Sequence, residues 1–159
     1  MWSLKAYLWL LVVLALSGLA LTLMYVPVAA PLAPSVVAPL GPPGVTLGGI
    51  MRGVHFWTAQ FVVLALLAHL IFALSTKTQR RFAGWAAGLF ALTGFLWFTG
   101  ILLPWDDLTQ WLRRGAAGLT PLQIYGLHVL LLPLLLYPLA GVYFRLTRRE
   151  TPMAMPVSP

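Results

Sequence analysis

Residues 51–75 read MRGVHFWTAQFVVLALLAHLIFALS. As a helix this stretch can cross a bilayer, which takes about 20 mostly apolar residues. It carries two histidines, His55 and His69, and one arginine, Arg52, near its start. The spacing of the histidines puts them within about 40° of each other around the helix and about 21 Å apart along it. They line one face at two depths. Ionisable side chains inside a membrane are costly and mark function by default.

Three further apolar segments are predicted to span, at about 6–26, 84–104 and 122–146. The chain of 159 residues is 60% hydrophobic and 8% charged, with a mean hydropathy of +0.90. A soluble domain carries about 25% charged residues. Only lipid keeps such a composition dispersed. The predicted fold is therefore an all-α, transmembrane four-helix bundle over residues 1–150, followed by a cytoplasmic tail at 151–159. The first span also has features of a signal peptide, with Lys5 as its basic start and PVAAP near Ala30 as a cleavage-like site. Its apolar run exceeds the roughly 7–15 residues of a signal core, so a retained span is expected.

Charge sets the expected orientation. With four alternating spans, Lys5, Lys77, Arg80, Arg81, Arg145, Arg148 and Arg149 fall on one side, and Arg52, Arg113 and Arg114 on the other. The richer side should be cytoplasmic. Both termini then lie in the cytoplasm of a multi-pass inner (plasma) membrane protein. The net charge of +7 is confined to clusters between apolar runs, the pattern of topology signals rather than of nucleic-acid binding. On the opposite side, the uncharged stretch PVAAPLAPSVVAPLGPPGVTLGG (27–49) is too rich in proline for regular helix. It is expected to lie on the membrane surface, against a partner or in the interface. The stretch PWDDLTQWLRRGAAG (104–118) reads as a short amphipathic surface helix with Trp105 and Trp111 at the interface. Asp106 and Asp107 there read as solvated loop acids or as proton carriers.

The third histidine, His128, lies about two turns into the fourth span, which runs in the same direction as the second. His55 and His128 therefore share a depth. Two imidazoles facing each other across a bundle are what six-coordinate haem iron requires. At the depth of His69 the fourth span offers Val142 and Tyr143. Tyrosine can ligate haem iron. A tyrosine at a helix end also anchors at the interface, and the cost of burying a phenolate favours that reading. Haem is favoured over zinc as the group the histidines hold. The three or four ligands of zinc must converge, and His69 is a helix-length away from His55. The absence of cysteine excludes disulfides, thiolate metal sites, iron–sulfur clusters and covalent c-type haem.

Five stretches in order, GLALTLMYVP, IMRGVH, FVVLALLAHL, FTGILLPWDD and YGLHVLLLPLL, resemble the amino-terminal half of cytochrome b, most closely the four-helix cytochrome b6 type. The resemblance runs from about Gly18 to Arg149. It implies haem b held by His55 and His128 as axial ligands, with Arg52 pairing a propionate. Gly18 and Gly100 match the glycines that let the macrocycle approach helices one and three, since glycine has no Cβ. Pro104, Trp105 and Asp106 match the border of a quinone pocket.

The same resemblance marks a second haem site as altered. His69 matches one ligand, but the partner position is Tyr143 or Val142. Phe72 stands where an arginine is expected, and Leu4 and Ala86 stand where two glycines are expected. Loss or modification of the second haem follows. The family's Pro-Glu-Trp-Tyr quinol motif lies on later helices that this chain lacks. The resemblance therefore implies partners: a separate chain like the carboxy-terminal half of cytochrome b, a Rieske or cytochrome c subunit, quinone and lipid. The leading expectation is an electron-transfer subunit of a respiratory or photosynthetic quinol oxidoreductase complex. A haem-bearing anchor for a peripheral oxidoreductase, such as a molybdenum enzyme, and a haem-free structural subunit are the alternatives. A low-spin b-type spectrum separates the last from the first two.

Overall fold

The computed structural model describes residues 2–24, 46–103 and 119–149, and four long helices account for most of them. They are α1 (Trp2–Thr22), α2 (Leu47–Ser75), α3 (Ala83–Ile101) and α4, which is made of three consecutive pieces. Those pieces are Pro121–Gly126, a π-helical turn at Leu127–Leu131, and Leu132–Arg149. Among the described residues there is no strand. Leu47–Ser75, Arg80–Ile101 and Leu122–Thr147 are each long and apolar enough to cross a membrane. The 21 residues of α1 rise about 31 Å, close to the thickness of a hydrocarbon core. The chain is a multi-pass, all-α membrane protein.

Helix ends differ from the expected spans by about one turn. α1 starts at Trp2 and ends at Thr22, not near residue 26. α2 starts at Leu47 rather than 51, because Thr46 caps it: the Thr46 hydroxyl accepts from the Gly49 amide at 3.0 Å. α4 begins at a capping box in which Thr120 and Gln123 satisfy each other's backbone amides. Between α2 and α3 the chain turns through a short 3-10 helix, Arg80–Phe82. There the Arg80 guanidinium donates to the Leu74 carbonyl, and Arg81 lies 5.0 Å from the Phe82 ring centre. The stretch 27–45 and the loop 104–118, with the surface helix expected there, lie outside the described residues. So does the tail at 151–159.

Helices α1, α2 and α3 are apolar on nearly every side, so hydropathy does not mark their inner face. Packing does. The buried stripe of α1 is Tyr7, Leu11, Leu14 and Ser17; that of α3 is Ala86, Leu89, Thr93, Leu96 and Thr99. Steps of three and four residues hold each stripe on one side of its helix. α2 contributes Thr58, Val62, Leu66 and Ala73, and α4 contributes Ile124, Leu132, Leu136, Ala140 and Tyr143. Outside lie large apolar side chains such as Trp9, Leu16, Trp57, Phe61 and Leu134, as lipid or partner helices require. Four hydroxyl residues, Ser17, Thr58, Thr93 and Thr99, are buried inside. α1 packs on α2, α2 on α3 and α3 on α4. α4 closes the bundle on α1, where the Tyr137 hydroxyl donates to the Leu11 carbonyl and the Tyr7 and Phe144 rings meet edge-on.

The π turn has a local cause. Pro133 has no amide hydrogen, and its ring crowds the carbonyl four residues back, at Val129. Widening the preceding turn relieves that crowding: the Leu132 amide bonds to the Leu127 carbonyl, five residues back. His128 sits in this widened turn.

Removing the Thr46 hydroxyl tests the account of where α2 begins. Thr46→Ala should cost about 1 kcal/mol locally. Hydrogen exchange at the amides of residues 49–51 should accelerate, with the rest of α2 unchanged; unchanged exchange at 49–51 would remove the cap from the account.

Candidate functional site

Two histidines project into the bundle at one level. His55 is carried by α2 but is held by α1. Its Nδ1 lies 3.2 Å from the Leu14 carbonyl oxygen and 3.1 Å from the Ser17 hydroxyl. His128 is carried by α4 but is held by α3. Its Nδ1 lies 2.9 Å from the Leu96 carbonyl oxygen and 3.1 Å from the Thr99 hydroxyl. A carbonyl oxygen can only accept. Both Nδ1 atoms therefore carry the hydrogen, and both Nε2 atoms keep a free lone pair. That is the tautomer a metal ligand needs, with the second ring nitrogen anchored to protein.

The two rings face each other with centroids 6.1 Å apart and planes at 76°. Metal–imidazole bonds of about 2.0–2.1 Å, plus about 1.1 Å from each nitrogen to its ring centre, would set two axial imidazoles about 6.3 Å apart. The observed spacing fits one iron between them. Gly18 and Gly100 complete the fit. A Cβ on Gly18 would lie 3.0 Å from His55 Cε1, and one on Gly100 would lie 2.7 Å from His128 Cε1. The sequence reading gave these glycines to the macrocycle. Here the first group they make room for is the imidazole itself. The reason is the Nδ1 anchor: bonding to the carbonyl four residues earlier brings the Cε1 edge of each ring against the glycine. Arg52 lies half-buried one turn before His55 on α2.

The level of His69 is built differently. A hydrogen bond joins His69 Nε2 to the Tyr143 hydroxyl, and the two rings stand 5.6 Å apart at 80°. Tyr143 is 1% exposed and is packed by the rings of Phe82 and Phe144. The interfacial anchor expected of a tyrosine at this helix end is therefore absent; the side chain points into the bundle. Of the two residues the sequence left open, Tyr143 faces His69 and Val142 faces outward. Ala86 is fully buried against Ala73 and Ala83, and Phe72 is exposed. The contrast between levels is one of nitrogens. His55 and His128 spend Nδ1 on the protein and keep Nε2 free, while His69 spends Nε2.

Ser17, Thr99, Leu14 and Leu96 were not singled out from sequence. A signal for them exists, in LALSG at 14–18 and LWFTG at 96–100. Each is Leu-x-x-Ser/Thr-Gly, and each supplies a carbonyl, a hydroxyl and a gap in that order. Among the described residues no group of three or more His, Cys, Asp or Glu side chains converges. Pro104, Trp105 and Asp106, expected at a quinone pocket, lie outside the described residues, as do Asp107, Trp111, Arg113 and Arg114. The side chain of Leu4 does too.

Comparison with known proteins gives the family. The family model described as Cytochrome b/b6/petB matches residues 1–121, which takes in α1, α2 and α3 and ends as α4 begins. A cytochrome b6 from Gracilaria tenuistipitata var. liui is 28% identical over 162 aligned positions, covering 84% of this chain and 74% of the relative. His55, His69, Gly18 and Gly100 lie within the family match, and His128 lies beyond it. The pairing of His128 with His55 thus rests on the bundle itself. Proteins of this family are electron-transfer subunits of multisubunit membrane complexes and in general carry b-type haem. By the extent of the match, this chain is a member of the cytochrome b family, on the side of its amino-terminal, four-helix half.

Proposed function

We propose that the chain carries a single b-type haem between His55 and His128 and uses it to exchange electrons with the quinone pool in a membrane oxidoreductase complex. The observation that carries this reading is the paired tautomer: two half-buried imidazoles with ring centroids 6.1 Å apart, each anchored through Nδ1. A b-type haem bound there supplies reversible one-electron chemistry. The chain's own residues do the rest. Leu14 and Leu96 fix the ring orientations through their carbonyls. Gly18 and Gly100 give the rings space. Arg52 offers a cation one turn from His55 to pair a propionate. The apolar stripes exclude water, and two protein ligands leave no open coordination position for substrate.

The count of one rests on the second level. His69 is engaged by Tyr143 through the same nitrogen a metal would need. Ala86 fills space that the resemblance assigns to a glycine. The segment 1–150 acts as one transmembrane unit, with both termini cytoplasmic, since seven basic residues lie at the end of the bundle where α1 starts and α4 stops. The haem site is then toward the opposite, positive face. Partner helices would cover the exposed apolar faces and supply the remainder of a quinone site bordered by Pro104, Trp105 and Asp106. A Rieske or cytochrome c subunit is the matching electron partner on that face.

The spectrum of the purified protein tests the assignment. His55→Ala and His128→Ala should each abolish the low-spin b-type absorption, and His69→Ala should retain it. Retention in either of the first two would overturn the site. The glycines give a graded second test. Gly100→Ala, with its Cβ at 2.7 Å, should lower haem content severalfold, and Gly18→Ala, at 3.0 Å, should lower it less. Equal, full occupancy in both would contradict the cradle.

A further inference from the structure

The hydroxyls of Ser17 and Thr99 are not explained by helix packing alone. A serine or threonine in a membrane helix commonly donates to a carbonyl one turn back. Both do so here. Ser17 Oγ donates toward the Val13 and Leu14 carbonyls at 2.8 and 3.2 Å, and Thr99 Oγ1 donates to the Leu96 carbonyl at 2.8 Å. That uses the single proton of each hydroxyl and leaves its oxygen lone pairs. In each case the oxygen lies 3.1 Å from the Nδ1 of a facing histidine, whose hydrogen is already assigned to that nitrogen. The imidazole N–H is thus shared between a carbonyl and a hydroxyl oxygen. The arrangement occurs twice, on helices that are not sequence neighbours, in the same Leu-x-x-Ser/Thr-Gly frame. Both hydroxyl residues are buried.

We propose that Ser17 and Thr99 are positioning residues that tune the electron-donating strength of His55 and His128 toward a bound metal centre. The inference rests on the haem reading above. The chemistry is direct. An acceptor on Nδ1–H places more negative charge on the imidazole, which makes Nε2 a stronger donor. A stronger donor favours the oxidised metal. Removing one acceptor should therefore favour the reduced form and raise the midpoint potential. Both hydroxyls act in the same direction, one on each axial ligand. The Leu14 and Leu96 carbonyls hold the rings whether or not the hydroxyls are there, so ring position and ring electronics are separable.

Potentiometric titration of the full-length protein, in the membrane or purified with its partners, provides the test. Thr99→Val keeps the branched shape and removes only the hydroxyl; Ser17→Ala does the same at the other ring. Each variant should keep its low-spin haem and show a severalfold higher ferrous-to-ferric ratio at a fixed ambient potential, a tenfold change corresponding to 59 mV for one electron. Thr99→Ser and Ser17→Thr should restore the native ratio. Loss of haem in Thr99→Val would contradict the separation of ring position from ring electronics and so overturn the tuning role. The proposal is overturned if the hydroxyl-free variants bind haem at an unchanged potential, or if the conservative variants fail to restore it. A wild-type protein without haem would refute the haem reading itself, a result distinguishable from both.

Discussion

The bond from each histidine Nδ1 to a carbonyl on a neighbouring helix is the constraint on which the site depends. Backbone carbonyls inside lipid are normally consumed by the helix they belong to. Leu14 and Leu96 each accept in addition from an imidazole carried by another helix. That contact fixes the tautomer, brings the ring against a helix, and forces glycine at the point of approach. It also links the helices crosswise, since α1 holds a residue of α2 and α3 holds a residue of α4. The glycine, hydroxyl and leucine positions at 14–18 and 96–100 follow from that one requirement.

The bundle is consequently two-storeyed. Its upper level keeps both Nε2 atoms free, on rings whose centroids lie 6.1 Å apart. Its lower level ties His69 to Tyr143 and packs Phe82 and Phe144 against that tyrosine. In a low-dielectric interior a buried imidazole is costly unless its polar atoms are paired. A metal can pair them at the upper level, and the tyrosine does so at the lower. The same residue type meets the same burial cost by two different routes. In the proposed single-haem protein, electron transfer is confined to the face carrying His55 and His128.

Much of this was legible in the sequence, for a physical reason: lipid allows few solutions. Apolar length placed the four spans to within about a turn. Helical rise placed His55 and His128 at one depth and His69 at another. What sequence left open turned on which face of each helix is inside. Val142 and Tyr143 are both largely apolar, so hydropathy could not choose between them, and only packing put Tyr143 in the core. It was also silent on which ring nitrogen each histidine uses, because that depends on a partner helix. The role of Ser17 and Thr99 went unread since a hydroxyl in a membrane helix is ordinarily satisfied by its own backbone. The π turn at His128 was likewise hidden, although Pro133 is its visible cause.

Haem quantitation on the purified chain, by pyridine haemochrome absorbance against protein mass, bears most directly on the central claim. One haem b per chain is the predicted result. Two per chain would contradict the closed reading of the His69–Tyr143 level, and none would contradict the His55–His128 site.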